Sequence, residues 1–80
     1  MTKRYVDVYE DANDVGGTVG IRDDGAVDVM RGGNLELWRA GASAFDWVPK
    51  EHEFAREWSR GRSELLGRIE YDDEPLERAS

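Results

Sequence analysis

The chain has 80 residues, of which 39% are apolar and none is cysteine, and it carries a net charge of −7 from 18 acidic and 11 basic side chains. This length makes one domain, and without thiols neither a disulfide nor a thiolate zinc site can brace it. The acidic balance repels nucleic-acid phosphate and counts against direct DNA or RNA binding, while no apolar run approaches the length of a membrane span.

A first strand is expected over residues 4–10, with Val6 and Val8 on one face and Tyr5, Asp7 and Tyr9 on the other. No basic segment followed by an apolar stretch precedes it, so no secretory signal is read and a cytoplasmic location is expected. Asp11-Ala-Asn-Asp is a turn cluster, and Val15-Gly-Gly leads into a second strand over residues 18–22. Asp23-Asp24-Gly25 is the strongest hairpin signal, because an Asp-Gly pair tolerates the positive φ angles of a tight turn. A third strand follows over residues 26–31. Gly32-Gly33-Asn34 is the next turn, and Leu35 and Leu37 place a fourth strand over residues 35–39.

Residues 40–48 read as a linker whose Phe45 and Trp47 plug one end of the core. Pro49 suits a first helical turn, where its missing N–H costs nothing. Glu51 and Glu53 in that turn complement the helix dipole. The three-, four- and seven-residue steps of Phe54, Trp58, Leu65 and Ile69 predict a helix over residues 49–70. Gly61 lies on that stripe and is read as a point of close helix–sheet packing, with a kink as the alternative.

Val6/Val8, Val19/Ile21, Val27/Val29 and Leu35/Leu37 share a period of two and are expected to turn together toward the helix. The fold class that follows is α+β: a four-stranded antiparallel meander with one C-terminal helix packed on one face, in the order ββββα. It is expected to occupy residues 1–71, with an acidic, flexible tail over residues 72–80.

Reactive chemistry finds little support. His52 is the single histidine, lies beside Glu51 and Glu53, and reads as a solvent-facing residue. Gly41-Ala-Ser43-Ala-Phe45 starts like a nucleophile elbow, but Phe45 stands where the second glycine belongs. Asp11-Ala-Asn13-Asp-Val15-Gly16 resembles the start of a calcium loop, yet its fifth position is Val15 and its twelfth is Arg22. Gly16-Gly-Thr-Val-Gly20 has the spacing of no phosphate-binding loop. No catalytic residue, metal site or cofactor is assigned.

The outer sheet face is the most informative surface. The register opposite to the aliphatic pairs exposes Tyr5, Tyr9, Arg22, Met30 and Trp38, residue types enriched at the centres of protein interfaces. The expected function is therefore that of a small non-enzymatic interaction protein, binding a protein partner or itself through this face. Self-association into a homodimer is the arrangement that would most help so small a core. The alternative is an acidic decoy, in which Glu53, Glu57, Glu64, Glu70, Asp72, Asp73 and Glu74 imitate phosphates and occupy a basic nucleic-acid-binding groove on another protein. Arg56, Arg60, Arg62 and Arg68 interleave with those acids and weaken that stripe.

Overall fold

In the computed structural model, which describes residues 2–29, 31–41 and 45–73, the chain is an α+β fold. Strand β1 (Thr2–Asp11) is followed by β2 (Thr18–Arg22) and β3 (Val27–Val29), then helix α1 (Leu35–Gly41), helix α2 (Glu53–Arg60) and strand β4 (Arg62–Asp73). The four strands form one sheet in the order β3-β2-β1-β4, and every neighbouring pair is antiparallel. The first three strands are adjacent in chain order, as a meander requires. The turn between β2 and β3 is the one read from Asp23-Asp24-Gly25. Gly25 has a φ of 91°, its N–H donates to the Arg22 carbonyl at 2.9 Å, and the Arg22 N–H donates to the Ala26 carbonyl at 2.7 Å.

Two expected elements are corrected. The segment expected as a fourth strand, residues 35–39, is helical. Asn34 starts it: its Oδ1 accepts from the Glu36 N–H at 2.8 Å, the bond that a helix N-cap makes. Glu36 in the first turn and Arg39 in the last then pair at 2.8 Å. Leu35 and Trp38, three apart, turn toward the sheet, whereas Leu37 is exposed. The single long helix is the second correction. His52 caps α2 by accepting the Phe54 N–H on Nδ1 at 3.1 Å, and the helix stops at Gly61, whose N–H donates to the carbonyls of Glu57 and Trp58. The next twelve residues form β4, which joins the sheet beside β1 rather than beside β3. The fold is thus a sheet with two helices, not one, and its fourth strand comes last in the chain.

A third correction concerns the faces. Residues directly opposed in antiparallel strands share a face. Val8 stands opposite Gly20 and Asp7 opposite Ile21, so the valines of β1 and the aliphatics of β2 point to opposite sides. Val19 opposes Val29 and Ile21 opposes Val27, which puts the aliphatics of β2 and β3 together. Val6 opposes Ile69. Both faces of the sheet are therefore apolar over part of their area, and each takes its own helix.

On the first face, Val6, Val8, Trp38 and Ile69 form a buried cluster, with Leu35, Phe45, Trp47 and Tyr71 packed against it. Trp38 is fully buried. Its ring lies on the backbone of Gly20, where a Cβ would fall 2.4 Å from the ring. Its indole N–H donates to Thr18 Oγ1 at 2.6 Å, and the Thr18 hydroxyl donates in turn to the Gly32 carbonyl at 2.6 Å. Phe45 meets the indole edge-on, with centroids 4.9 Å apart. On the second face, Val19, Val27, Val29 and Ala55 form another cluster, supported by Ile21, Val48 and Trp58. Val48 also bridges to Val27 at the outer edge of β3, with N–H···O bonds of 2.9 Å in both directions.

Two predictions follow from these contacts. Trp38→Ala empties the first cluster and is expected to cost about 3–5 kcal/mol, enough to unfold so small a domain. Gly20→Ala is the sharper test. Glycine in a strand interior ordinarily weakens it, so alanine should stabilise a strand with open space above it; under the Trp38 ring it should instead cost about 1–3 kcal/mol in a denaturant titration. A more stable alanine variant would refute the ring-on-backbone packing.

A further prediction concerns the β2–β3 turn. The Arg22 guanidinium, bonded to Asp24 at 2.6 and 3.0 Å, is the main cause that lowers the Asp24 pKa to about 2, with the Ala26 N–H assisting and burial opposing. Since this lies below the ordinary 3.8, the stabilisation is complete above that value and is lost as pH falls toward about 2. The pair is partly exposed, so solvent screening holds its contribution to about 1 kcal/mol or less. The stability gap between the parent and Asp24→Asn, read from urea midpoints, is expected to close as pH falls through that window.

Candidate functional site

The two helices leave one part of the sheet open. Helix α1 and the linker aromatics cover the first face. Helix α2 packs on β2 and β3 of the second face, while the β1–β4 half of that face carries no cover among the described residues. Its side chains come from alternate positions of β1 (Lys3, Tyr5, Asp7, Tyr9) and from their opposed partners on β4.

The surface is built from cations laid over aromatic rings and tied to carboxylates. Arg68 bonds Asp7 with two nitrogens, Nε to Oδ1 at 2.6 Å and Nη2 to Oδ2 at 3.2 Å. The same guanidinium lies 5.8 Å from the Tyr5 ring centroid. Arg62 lies 5.0 Å from the centroid of Tyr9. Lys3 Nζ reaches Glu70 at 3.1 Å and Asp72 at 3.3 Å. The hydrogen bond that Arg68 donates to Asp7 is the main cause that raises the Arg68 pKa, and the one that Lys3 donates to Glu70 is the main cause for Lys3. These cations are exposed and remain charged across the physiological range. Ion pairs so exposed contribute little to stability; their effect here is to hold the arginines against the tyrosines.

Strand β4 is irregular where this ladder ends. Its register against β1 shifts between Val8 and Tyr9 and again between Tyr9 and Asp11, so β4 holds an extra residue at each shift, as β-bulges do. At the first shift Leu65 and Leu66 are 53% and 37% exposed. Beside it lies a cleft of about 550 Å³ between the end of α2 and the β1–β2 turn, lined by Asp11, Asn13, Val19, Glu57, Trp58 and Arg60 among others. Trp58 stacks on Phe54 at 6.0 Å, and Phe54 on His52 at 5.1 Å, giving an aromatic row along α2.

Of the residues expected on one outer face, the structure brings Tyr5 and Tyr9 together on the open half. Trp38 is corrected from an exposed residue to the centre of the first cluster, because the segment that carries it is a helix facing the sheet rather than an edge strand. Arg22 is corrected as well. It opposes Val6 and so lies on the first face, where its guanidinium covers Trp47 at 5.3 Å and bonds Asp24. Met30 lies outside the described residues. The residues missed from sequence are Arg62, Leu65 and Arg68. Their signal was the alternation of Arg68, Glu70 and Asp72 with Gly67, Ile69 and Tyr71, a period of two that the longer helical spacing concealed.

No helix among the described residues is long and apolar enough to cross a membrane, and no group of three or more His, Asp or Glu side chains among them could hold a metal ion. Comparison with known proteins finds no matching family model, no similar curated protein and no similar solved structure.

Proposed function

We propose that this chain is a small non-enzymatic interaction protein that binds a protein partner or itself through the β1–β4 half-face. The observation that carries the reading is the pair of tyrosines, Tyr5 and Tyr9, each with an arginine over its ring, on a sheet surface that neither helix covers. Tyrosine and arginine are enriched in the energetic centres of protein interfaces. Arg68 is bonded to Asp7 beside the Tyr5 ring, which reduces the side-chain entropy to be lost there on binding. The exposed leucines at the rim add apolar area to the same surface. The location expected for such a protein is cytoplasmic, with no direct contact to nucleic acid.

The decoy alternative is favoured by no observation. It needs its carboxylates along one rod, but Glu53 and Glu57 lie on α2 while Glu64, Glu70 and Asp72 lie on β4.

The test compares the parent chain with Tyr5→Ser/Tyr9→Ser. The parent is expected either to retain a protein from a host lysate or to show a mass above that of one chain, and to do so with little change as salt rises. The variant should lose that association while its far-ultraviolet circular dichroism is unchanged. Association that survives the double substitution, or that collapses with salt alone in the parent, would overturn the reading.

A further inference from the structure

We infer that the Asp24–Gly25 bond is the site at which this chain isomerises spontaneously, from aspartate to isoaspartate, and that the clamp of Arg22 on Asp24 holds the reaction off in the folded state. The only co-reactant is water.

The chemistry singles out this bond. Isomerisation begins when the backbone nitrogen of the following residue attacks the side-chain carbon of aspartate, and a side chain on that following residue obstructs the approach. Asp24 is the one aspartate in the chain followed by glycine, and neither asparagine is followed by one. Asp7, Asp14 and Asp28 each precede a valine, whose branched and stiff side chain obstructs most. In the reaction the Gly25 nitrogen bonds to Asp24 Cγ and one Cγ–O bond breaks. The oxygen leaves as water, with the proton of the amide and the proton of the carboxylic acid form. The product is a cyclic imide, and water then opens either of its carbonyls. Breaking the new Cγ–N bond restores aspartate. Breaking the original backbone C–N bond leaves isoaspartate, with the main chain running through Cγ.

The fold keeps the reacting atoms apart. Asp24 Oδ1 accepts from Arg22 Nε at 3.0 Å and from the Ala26 N–H at 3.0 Å, and its Oδ2 accepts from Arg22 Nη2 at 2.6 Å. Arg4 Nη1 stands 3.9 Å from the same Oδ2. With both oxygens engaged, the carboxylate cannot turn its carbon toward the Gly25 nitrogen without giving up these charge-assisted bonds. The Gly25 N–H is itself committed to the Arg22 carbonyl at 2.9 Å. Lys50 lies across Gly25, with its Cβ and Cδ each 2.9 Å from where a glycine Cβ would fall, and restricts the other half of the turn. The folded chain therefore lacks the aligned approach that the attack needs. The lowered pKa of Asp24 works in the same direction, because an ionised carboxylate gives up oxygen far less readily than the acid. Asp24 is exposed, so water reaches it whenever the turn opens. Isoaspartate adds an atom to the main chain between Arg22 and Ala26, whose backbone hydrogen bond of 2.7 Å closes the turn, and the isomer no longer fits the hairpin.

The experiment holds the full chain in heavy-oxygen water at neutral pH, folded or in urea, and follows isoaspartate by peptide mapping, where the isomer elutes apart and carries the heavy oxygen. The unfolded parent is expected to isomerise at Asp24 before any other aspartate, and at least about tenfold faster than the folded parent, the factor that a charge-assisted bond gives when it must break first. Folded Arg22→Gln is expected to react about tenfold faster than the folded parent for the same reason. The Val27 N–H, bonded to the Val48 carbonyl at 2.9 Å, reports whether the sheet itself has opened, and its hydrogen exchange should stay as slow as in the parent. Arg22→Lys keeps the charge without the two-nitrogen grip; it serves where Arg22→Gln opens the sheet, and it too should react faster than the parent. Equal rates in the folded and unfolded parent would overturn the inference. So would a first isomer at another aspartate, or an Arg22 variant that keeps its Val27 protection and reacts at the parent rate.

Discussion

The Trp38 indole lies against the backbone of Gly20, and its N–H is bonded to the buried hydroxyl of Thr18. This contact joins several parts of the chain at once. Thr18 and Gly20 belong to β2, Trp38 to α1, and the Thr18 hydroxyl passes the connection on to Gly32 in the loop before α1. Val6 and Val8 from β1 and Ile69 from β4 close around the same ring. A buried indole must satisfy its N–H or lose the free energy of a hydrogen bond, and Thr18 is the residue placed to do so. The contact therefore fixes at once where α1 sits, which face of β2 it meets and how the chain enters the helix.

With α1 placed there, the rest of the sheet is arranged around it. The register of the β1–β2 pair puts the valines of β1 under Trp38 and turns Val19 and Ile21 to the other side. Those aliphatics, joined by Val27 and Val29, would be open to water without α2, and Ala55 and Trp58 are what cover them. Gly67 lets Leu35 come within 2.8 Å of where its Cβ would lie, so β4 can pass beneath α1 as the final strand. The helix-on-each-face arrangement is a consequence of register, since a shift of one residue would have gathered all the aliphatics on one face.

Covering both faces in this way uses two short helices on a sheet wider than either, and the uncovered remainder is the surface of functional interest. It lies where β1 and β4 run together beyond the reach of α2. Its tyrosines are pinned by arginines that are themselves pinned by Asp7 or stacked in place.

Local chemistry was enough to reveal the first three strands, the Asp-Gly turn and the alternation that sets Tyr5 and Tyr9 apart from Val6 and Val8, because a turn type and a period of two need only neighbours a few residues away. The two helices were less legible. Asn34 before Leu-Glu-Leu-Trp-Arg is a helix start, but two leucines spaced two apart mimic a strand; and Gly61, a helix end, falls on the apolar stripe of what reads as a longer rod. The spacing of Leu65 and Ile69 fits a helix and a bulged strand equally well, and backbone pairing along β1, which buries Ile69 beside Val6, decides for the strand. Which face each strand shows was beyond sequence altogether. Parity within a strand is local, whereas the relation between two strands depends on the register their loop and their shared cover impose, and that is settled when Trp38 finds Gly20.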